Sequence, residues 1–166
     1  MPKLRKAKYH EISVIQAIGV ECYRATYPPI LGDQQVEYML NKFYTLSSLK
    51  GQMDQGHVFL IVSDNHKDLG FASYNLVDAE SGAYHLQKLY VLPEAQGSGL
   101  GRLMIESVIE TCRKNGGKTL SLNVNRYNTA LTFYKKLGFT VVKTVDIDIG
   151  NGYFMNDYVM EINFNY

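Results

Sequence analysis

Three glycines in the run Gln96-Gly97-Ser98-Gly99-Leu100-Gly101 make this stretch the best anion holder the chain offers. It lies between an apolar, strand-like segment (86–92, closed by Pro93) and an apolar-periodic, helix-like one (103–112). Without side chains the backbone turns tightly and brings N–H groups close to a ligand. At a helix start those groups are unpaired and carry roughly half a positive charge, the setting in which phosphates bind. Two familiar nucleotide arrangements fail on spacing. A dinucleotide-binding turn needs a third glycine where Arg102 stands, and an acidic residue about 20 positions on, which the strand-like 119–124 lacks. A P-loop ends in Gly-Lys-Ser/Thr, whereas here the order is Gly101-Arg102-Leu103. Another phosphate-bearing ligand, or a purely structural turn, stays open.

The remaining reactive side chains form no cluster in sequence. Cys22 and Cys112 stand far apart among apolar, helix-like residues and read as buried structural thiols. His10, His57 and His66 have no arguable partner, and no metal constellation is expected. Seventeen basic against sixteen acidic side chains leave a formal charge of +1, which gives no electrostatic reason to expect nucleic acid or an anionic membrane as partner. No apolar run approaches membrane-spanning length, and no apolar signal core follows the basic start, so a cytoplasmic protein is the expectation. The length of 166 residues suits one domain over 1–166 with a sizeable core.

The elements that must position the glycine run follow from periodicity. A short strand over 3–9 precedes a helix over 11–27, with Ile12, Ile15, Ile18 and Cys22 on one face and Pro28-Pro29 as its stop. Asp33 is placed to cap a second helix carrying Val36, Met39, Leu40 and Phe43. A further helical piece covers 46–55. The run 57–62 is a buried strand, hairpin-paired with 69–77, and 84–92 is the strand that feeds the glycines. After the helix ending at Asn115-Gly116-Gly117 come a strand over 119–124, a short helix over 128–137, and strands over 139–145 and 154–162. Interleaved strands and helices predict an α/β layer fold with a mixed sheet.

The glycine run fits the Gln/Arg-x-x-Gly-x-Gly/Ala signature of the GCN5-related N-acetyltransferases (GNAT), and Leu89-Tyr90-Val91-Leu92-Pro93-Glu94 resembles that family's fourth strand. A second block, from Asn128 through Ala130 and Tyr134 to Gly138-Phe139, is similar to the family's N-x-x-A-x-x-x-Y-x-x-x-G-F element. Gly70-Phe71 and 157–160 are weaker echoes. The resemblance implies a central mixed, mostly antiparallel sheet of about seven strands, splayed between strands 4 and 5, with about four helices packed on it. It implies acetyl transfer from acetyl-CoA to a primary amine, with no metal.

By that resemblance the cofactor-binding residues are Leu89, Val91, Leu92, Gln96, Gly97, Ser98, Gly99, Gly101, Arg102, Asn128 and Tyr134. Backbone N–H groups of the loop would hold the pyrophosphate, with Arg102 standing in for the basic residue often found where Ser98 is. Val91 N–H, with Leu92 N–H as a second donor, would face the thioester carbonyl as an oxyanion hole. Asn128 would touch pantetheine or simply cap its helix. Tyr134 matches the family's acid for the leaving sulfur. His85, at a strand position similar to the base-bearing one in some relatives, and Glu21 on the first helix compete as base.

Glu21, Tyr27 and Tyr38 are the substrate-binding candidates. Tyr23, Tyr27, Asp33, Glu37, Tyr38 and Asp157 form an aromatic and acidic set suited to an alkylammonium group. The stretch 26–40 is faintly similar to the polyamine (spermidine/spermine) branch, which favours a small amine or polyamine. A protein N-terminus or lysine is the alternative acceptor, and a non-catalytic acetyl-CoA sensor is the alternative of another class. The family's final strands imply a homodimer.

Overall fold

The computed structural model describes residues 1–165. In chain order it contains β1 (Lys3–Lys6), α1 (Ile12–Thr26), α2 (Pro28–Leu31), α3 (Asp33–Phe43), α4 (Leu46–Asp54), β2 (Val58–Asp64), β3 (Lys67–Asp78) and β4 (Ala83–Val91). Then follow α5 (Leu100–Lys114), β5 (Thr119–Asn125), α6 (Ala130–Lys136), β6 (Thr140–Gly150) and β7 (Tyr153–Asn163). The sheet order is β1-β2-β3-β4-β5-β7-β6, with β4 and β5 parallel inside an otherwise mostly antiparallel sheet. This is the mixed α/β fold that the motifs imply. Six α-helices replace the four or so expected among the described residues. The Pro28-Pro29 pair ends α1 and then supplies the first turn of α2, where a missing N–H costs nothing. Asp33 does not cap α3. Gly32, at φ +80°, takes the cap position and Asp33 is the first helical residue, where its charge meets the helix dipole.

Two compact units divide the chain: residues 1–75 with 88–110, and 76–87 with those from 111 on. In the first, α1 buries Ile12, Ile15, Ile18, Gly19, Cys22 and Tyr23, the three-to-four spacing of one helix face. Gly19 is small for a reason: a Cβ there would sit 2.3 Å from the buried Tyr44 ring. Tyr23 meets Tyr44 edge-on with centroids 4.9 Å apart, Phe59 stacks on Phe71, and Phe71 lies 5.8 Å from Tyr90. Against a second core group of Val62, Ala72, Leu100 and Met104 pack Leu69, Leu89, Val91 and Ala95. β4 therefore alternates, with Leu89 and Val91 toward α5 and Lys88 and Tyr90 toward the tyrosines. Where β3 passes β4, a Cβ on Gly70 would meet Tyr90 O at 2.7 Å, so only glycine fits.

In the second unit β5 pairs in parallel with β4 from Ala83↔Thr119 to Leu86↔Leu122, and antiparallel with β7 over its whole length. β6 runs on to Gly150, beyond the expected end at Val145, because β7 pairs with it up to Tyr153. The turn between them uses Asn151 and Gly152, both at positive φ. β6 is the edge strand, and Val141, Val142 and Ile147 on it are exposed.

Candidate functional site

The glycine loop is anchored on both sides. Ala95 before it and Leu100 after it pack on the core group that includes Met104 of α5. Between them Gln96, Gly97, Ser98 and Gly99 are exposed. Gly97 and Gly99 hold φ of +80° and +86°, and a Cβ on either would meet nothing within 4 Å. Glycine is thus favoured by conformation, and the space above the backbone is open for close approach of a ligand. Gln96 Nε2 donates to Val91 O at 3.2 Å and the Ser98 hydroxyl donates to Ala95 O, so both side chains fold back to brace the loop. Leu103 N–H donates to Gly99 O at 3.0 Å, the first bond of α5, and the N–H groups ahead of it belong to the unpaired helix start. Arg102 does not lie over the loop: its Nε donates to Glu106 Oε1 at 2.7 Å, an exposed pair one turn along the helix. Any anion held at this loop would therefore meet backbone donors and not the Arg102 guanidinium.

Leu89 and Val91 lead into this loop. Val91 O accepts from Gln96 and also from the Cys22 thiol at 3.4 Å. Leu92 N–H donates to Leu69 O at 2.8 Å, so it is part of the sheet ladder and cannot serve as the second oxyanion donor. Burial pushes the Cys22 thiol up to about 12, as it does Cys112, which makes both inert as nucleophiles.

The tyrosines of the first unit converge. Tyr27 and Tyr90 hydroxyls lie 3.3 Å apart, and Tyr23 stacks near Tyr27, Tyr44 and Tyr90 with centroids 4.8, 4.9 and 5.4 Å away. Burial raises the phenols of Tyr44 and Tyr90 well above the ordinary value. Glu37 is exposed and held by Arg24 in a two-point pair, Glu21 and Asp33 are exposed, and Tyr38 already has the Lys42 ammonium 5.7 Å from its ring.

A residue that sequence reasoning missed stands among these rings. Lys88, half-buried on β4, directs its ammonium at the Tyr44 ring at 5.4 Å. Desolvation pushes this group down to about 8. The only signal in sequence was the strand alternation that puts Lys88 on the face of Tyr90.

The sign of the resulting pH effect is fixed. A lysine that titrates at about 8 when folded and near 10.4 when unfolded leaves the unfolded chain holding more protons between those values. The Lys88 contribution to stability is therefore poorest below pH 8 and improves as pH rises. Comparing urea midpoints of the wild type and Lys88→Met isolates it, because the two buried thiols and the tyrosines are common to both. The advantage of the methionine variant is expected to shrink between pH 7.5 and 9.5. A constant difference would mean that the ammonium is not desolvated.

In the second unit, His85 Nδ1 lies 2.6 Å from Ser121 Oγ, its neighbour in the parallel β4–β5 register. Asn128 Oδ1 accepts from Ala130 N–H at 2.9 Å, an Asx turn just ahead of α6, whose N-cap position is taken by Thr129. Tyr134, only 8% exposed, packs edge-on against Phe133 and Phe139 at 5.2 and 5.9 Å. Asp157 is buried on β7 with Asn123 Nδ2 at 3.5 Å, and desolvation raises its carboxyl.

The family model for the acetyltransferase (GNAT) domain matches residues 29–161. This chain belongs to the GNAT family of acetyl-CoA-dependent N-acetyltransferases. Among curated relatives of this GNAT enzyme, the [ribosomal protein bS18]-alanine N-acetyltransferase of Haemophilus influenzae is 28% identical over 67% of this chain and 70% of the relative. The peptidyl-lysine N-acetyltransferase YjaB of Escherichia coli is 22% identical over 87% of this chain and 86% of its own length. The fold is shared with the PaiA N-acetyltransferase of Thermoplasma acidophilum, solved in complex with coenzyme A, at a TM-score of 0.82 and 20% identity over 99% of both chains. Among the described residues of this acetyltransferase no group of side chains could hold a metal ion, and no helix is long and apolar enough to cross a membrane.

Proposed function

We propose that this acetyltransferase moves the acetyl group of acetyl-CoA to a primary amine of a peptide or protein. The observation that carries the donor half is the anchored glycine loop, open above Gly97 and Gly99 at the start of α5. Acetyl-CoA supplies an activated thioester and a pyrophosphate handle. Backbone N–H groups of 97–101 bind that handle, and Val91 N–H steadies the carbonyl oxygen as it gains charge, which is worth about 3 kcal/mol. Asn128 Oδ1 closes the turn that starts α6, and Tyr134 donates toward the departing sulfur. An alkylammonium ordinarily titrates near 10.4, so the acceptor must first lose a proton. His85 takes it, directly or through water, with Glu21 as the second candidate.

The acceptor half is supported by two curated relatives, whose names state protein amines, alanine in one and lysine in the other. The polyamine reading keeps its aromatic support but is weakened on the acidic side, since Glu37 is tied to Arg24. The test is thiol release from acetyl-CoA across spermidine, an aminoglycoside and short peptides. Turnover with the highest kcat/KM on peptides is expected. Turnover of spermidine alone overturns the peptide reading in favour of a small amine. Tight acetyl-CoA binding without any turnover overturns it in favour of a sensor.

A further inference from the structure

The aromatic face of the first unit holds a cation, the Lys88 ammonium over the Tyr44 ring. Among the described residues Lys88 has no carboxylate within ion-pair distance and no hydrogen-bond acceptor; its ammonium meets the Tyr44 ring. The neighbouring imidazole adds no negative charge. His57 feels the Lys88 charge, and its Nδ1 is buried without a hydrogen-bond partner. His57 also lines an open cavity of about 400 Å³ whose walls carry Lys6 and Lys8 and no carboxylate.

A half-buried ammonium without a counter-ion is costly, and buried polar groups without partners ask for a missing one. An anionic ligand group meets both needs; a second cation worsens them. Lys88 lies three residues before Val91, about 10 Å along the strand. A short acceptor can therefore present its amine at Val91 and another group to Lys88.

Resting on the acetyl-transfer reading above, we infer that Lys88 is a specificity residue that selects acceptors carrying a carboxylate close to the reacting amine. The carboxylate accepts a charge-assisted hydrogen bond from Nζ beside the Tyr44 ring. Polycationic acceptors are rejected at the same point by like charge.

The experiment compares steady-state kinetics on amidated pentapeptides that differ at one position only, holding glutamate, glutamine or arginine, each with an α-amine and one lysine. Wild type is expected to prefer the glutamate peptide over the glutamine one by about 10- to 100-fold, mostly through KM, with arginine last. Lys88→Met should collapse that ratio toward one, while Lys88→Arg should retain most of it; thermal unfolding checks that both variants fold. Turnover of the peptides with no charge preference, or a preference that survives Lys88→Met, overturns this inference and leaves the acetyl-transfer reading standing. Absence of turnover on every amine overturns both.

Discussion

Tyr134→Phe is expected to lower kcat by about 10²- to 10⁴-fold, the usual contribution of a positioned acid, while acetyl-CoA binding measured by calorimetry changes little. The substitution removes one oxygen and keeps the ring, so the edge-on packing with Phe133 and Phe139 survives. Loss of the hydroxyl should cost the fold no more than about 1 kcal/mol. A phenol ordinarily titrates near 10 and a thiol near 8.5, so full proton transfer from tyrosine to the sulfur is uphill by about 2 kcal/mol. The role assigned to Tyr134 is therefore to hydrogen-bond the charge growing on sulfur as the C–S bond lengthens, with protonation completed from solvent. Such a donor acts only in the transition state, which is why the loss should appear in kcat and not in cofactor affinity. Full activity in this variant would remove Tyr134 from the chemistry and leave it a packing residue of α6.

The Asn128-to-Phe139 block was legible in sequence because its cues are local. Asn128 closes a turn through a bond to Ala130, two residues on, and the apolar ring of Tyr134 packs on its own neighbour and on Phe139. The glycine loop was legible for the same reason, since positive φ at Gly97 and Gly99 is a property of the loop itself. What sequence could not show depends on pairing across strands. The Ser121 partner of His85 comes from the parallel register of β4 with β5, 36 residues apart in sequence. The engagement of Leu92 N–H needs Leu69 on β3. Lys88 reads in sequence as an ordinary charge on a strand, and only the packing of α1 and Tyr44 over β4 makes it a desolvated one. The pairing inside the acidic-aromatic set was hidden likewise. Glu37 found Arg24 on the neighbouring helix, a contact set by the α1–α3 crossing. Local chemistry was readable, and the partners that decide charge state and availability were not.

Gly99→Asp is expected to raise the KM for acetyl-CoA by 100-fold or more, equal to about 2.8 kcal/mol of binding. The change is sterically clean, because nothing lies within 4 Å of the new Cβ. Its structural cost is the left-handed backbone, about 1–2 kcal/mol for an L-residue and at the low end for Asp or Asn. Part of that is offset, since a carboxylate at the start of α5 is stabilised by the helix dipole by about 0.3–1 kcal/mol. The same attraction explains the loss of function: the introduced carboxylate occupies the donors meant for the pyrophosphate and repels it. Gly99→Asn carries the same strain and nearly the same shape without the charge, so the difference between the two variants reads the electrostatics alone. That difference should narrow as salt is raised, because the loop is exposed and its charges are screened. Arg102 offers little rescue, since Glu106 holds it one turn along the helix. Equal KM values for the aspartate and asparagine variants would show that the loop shapes the chain without binding an anion. The acetyl-CoA reading would then have to stand on the Asn128 and Tyr134 block alone.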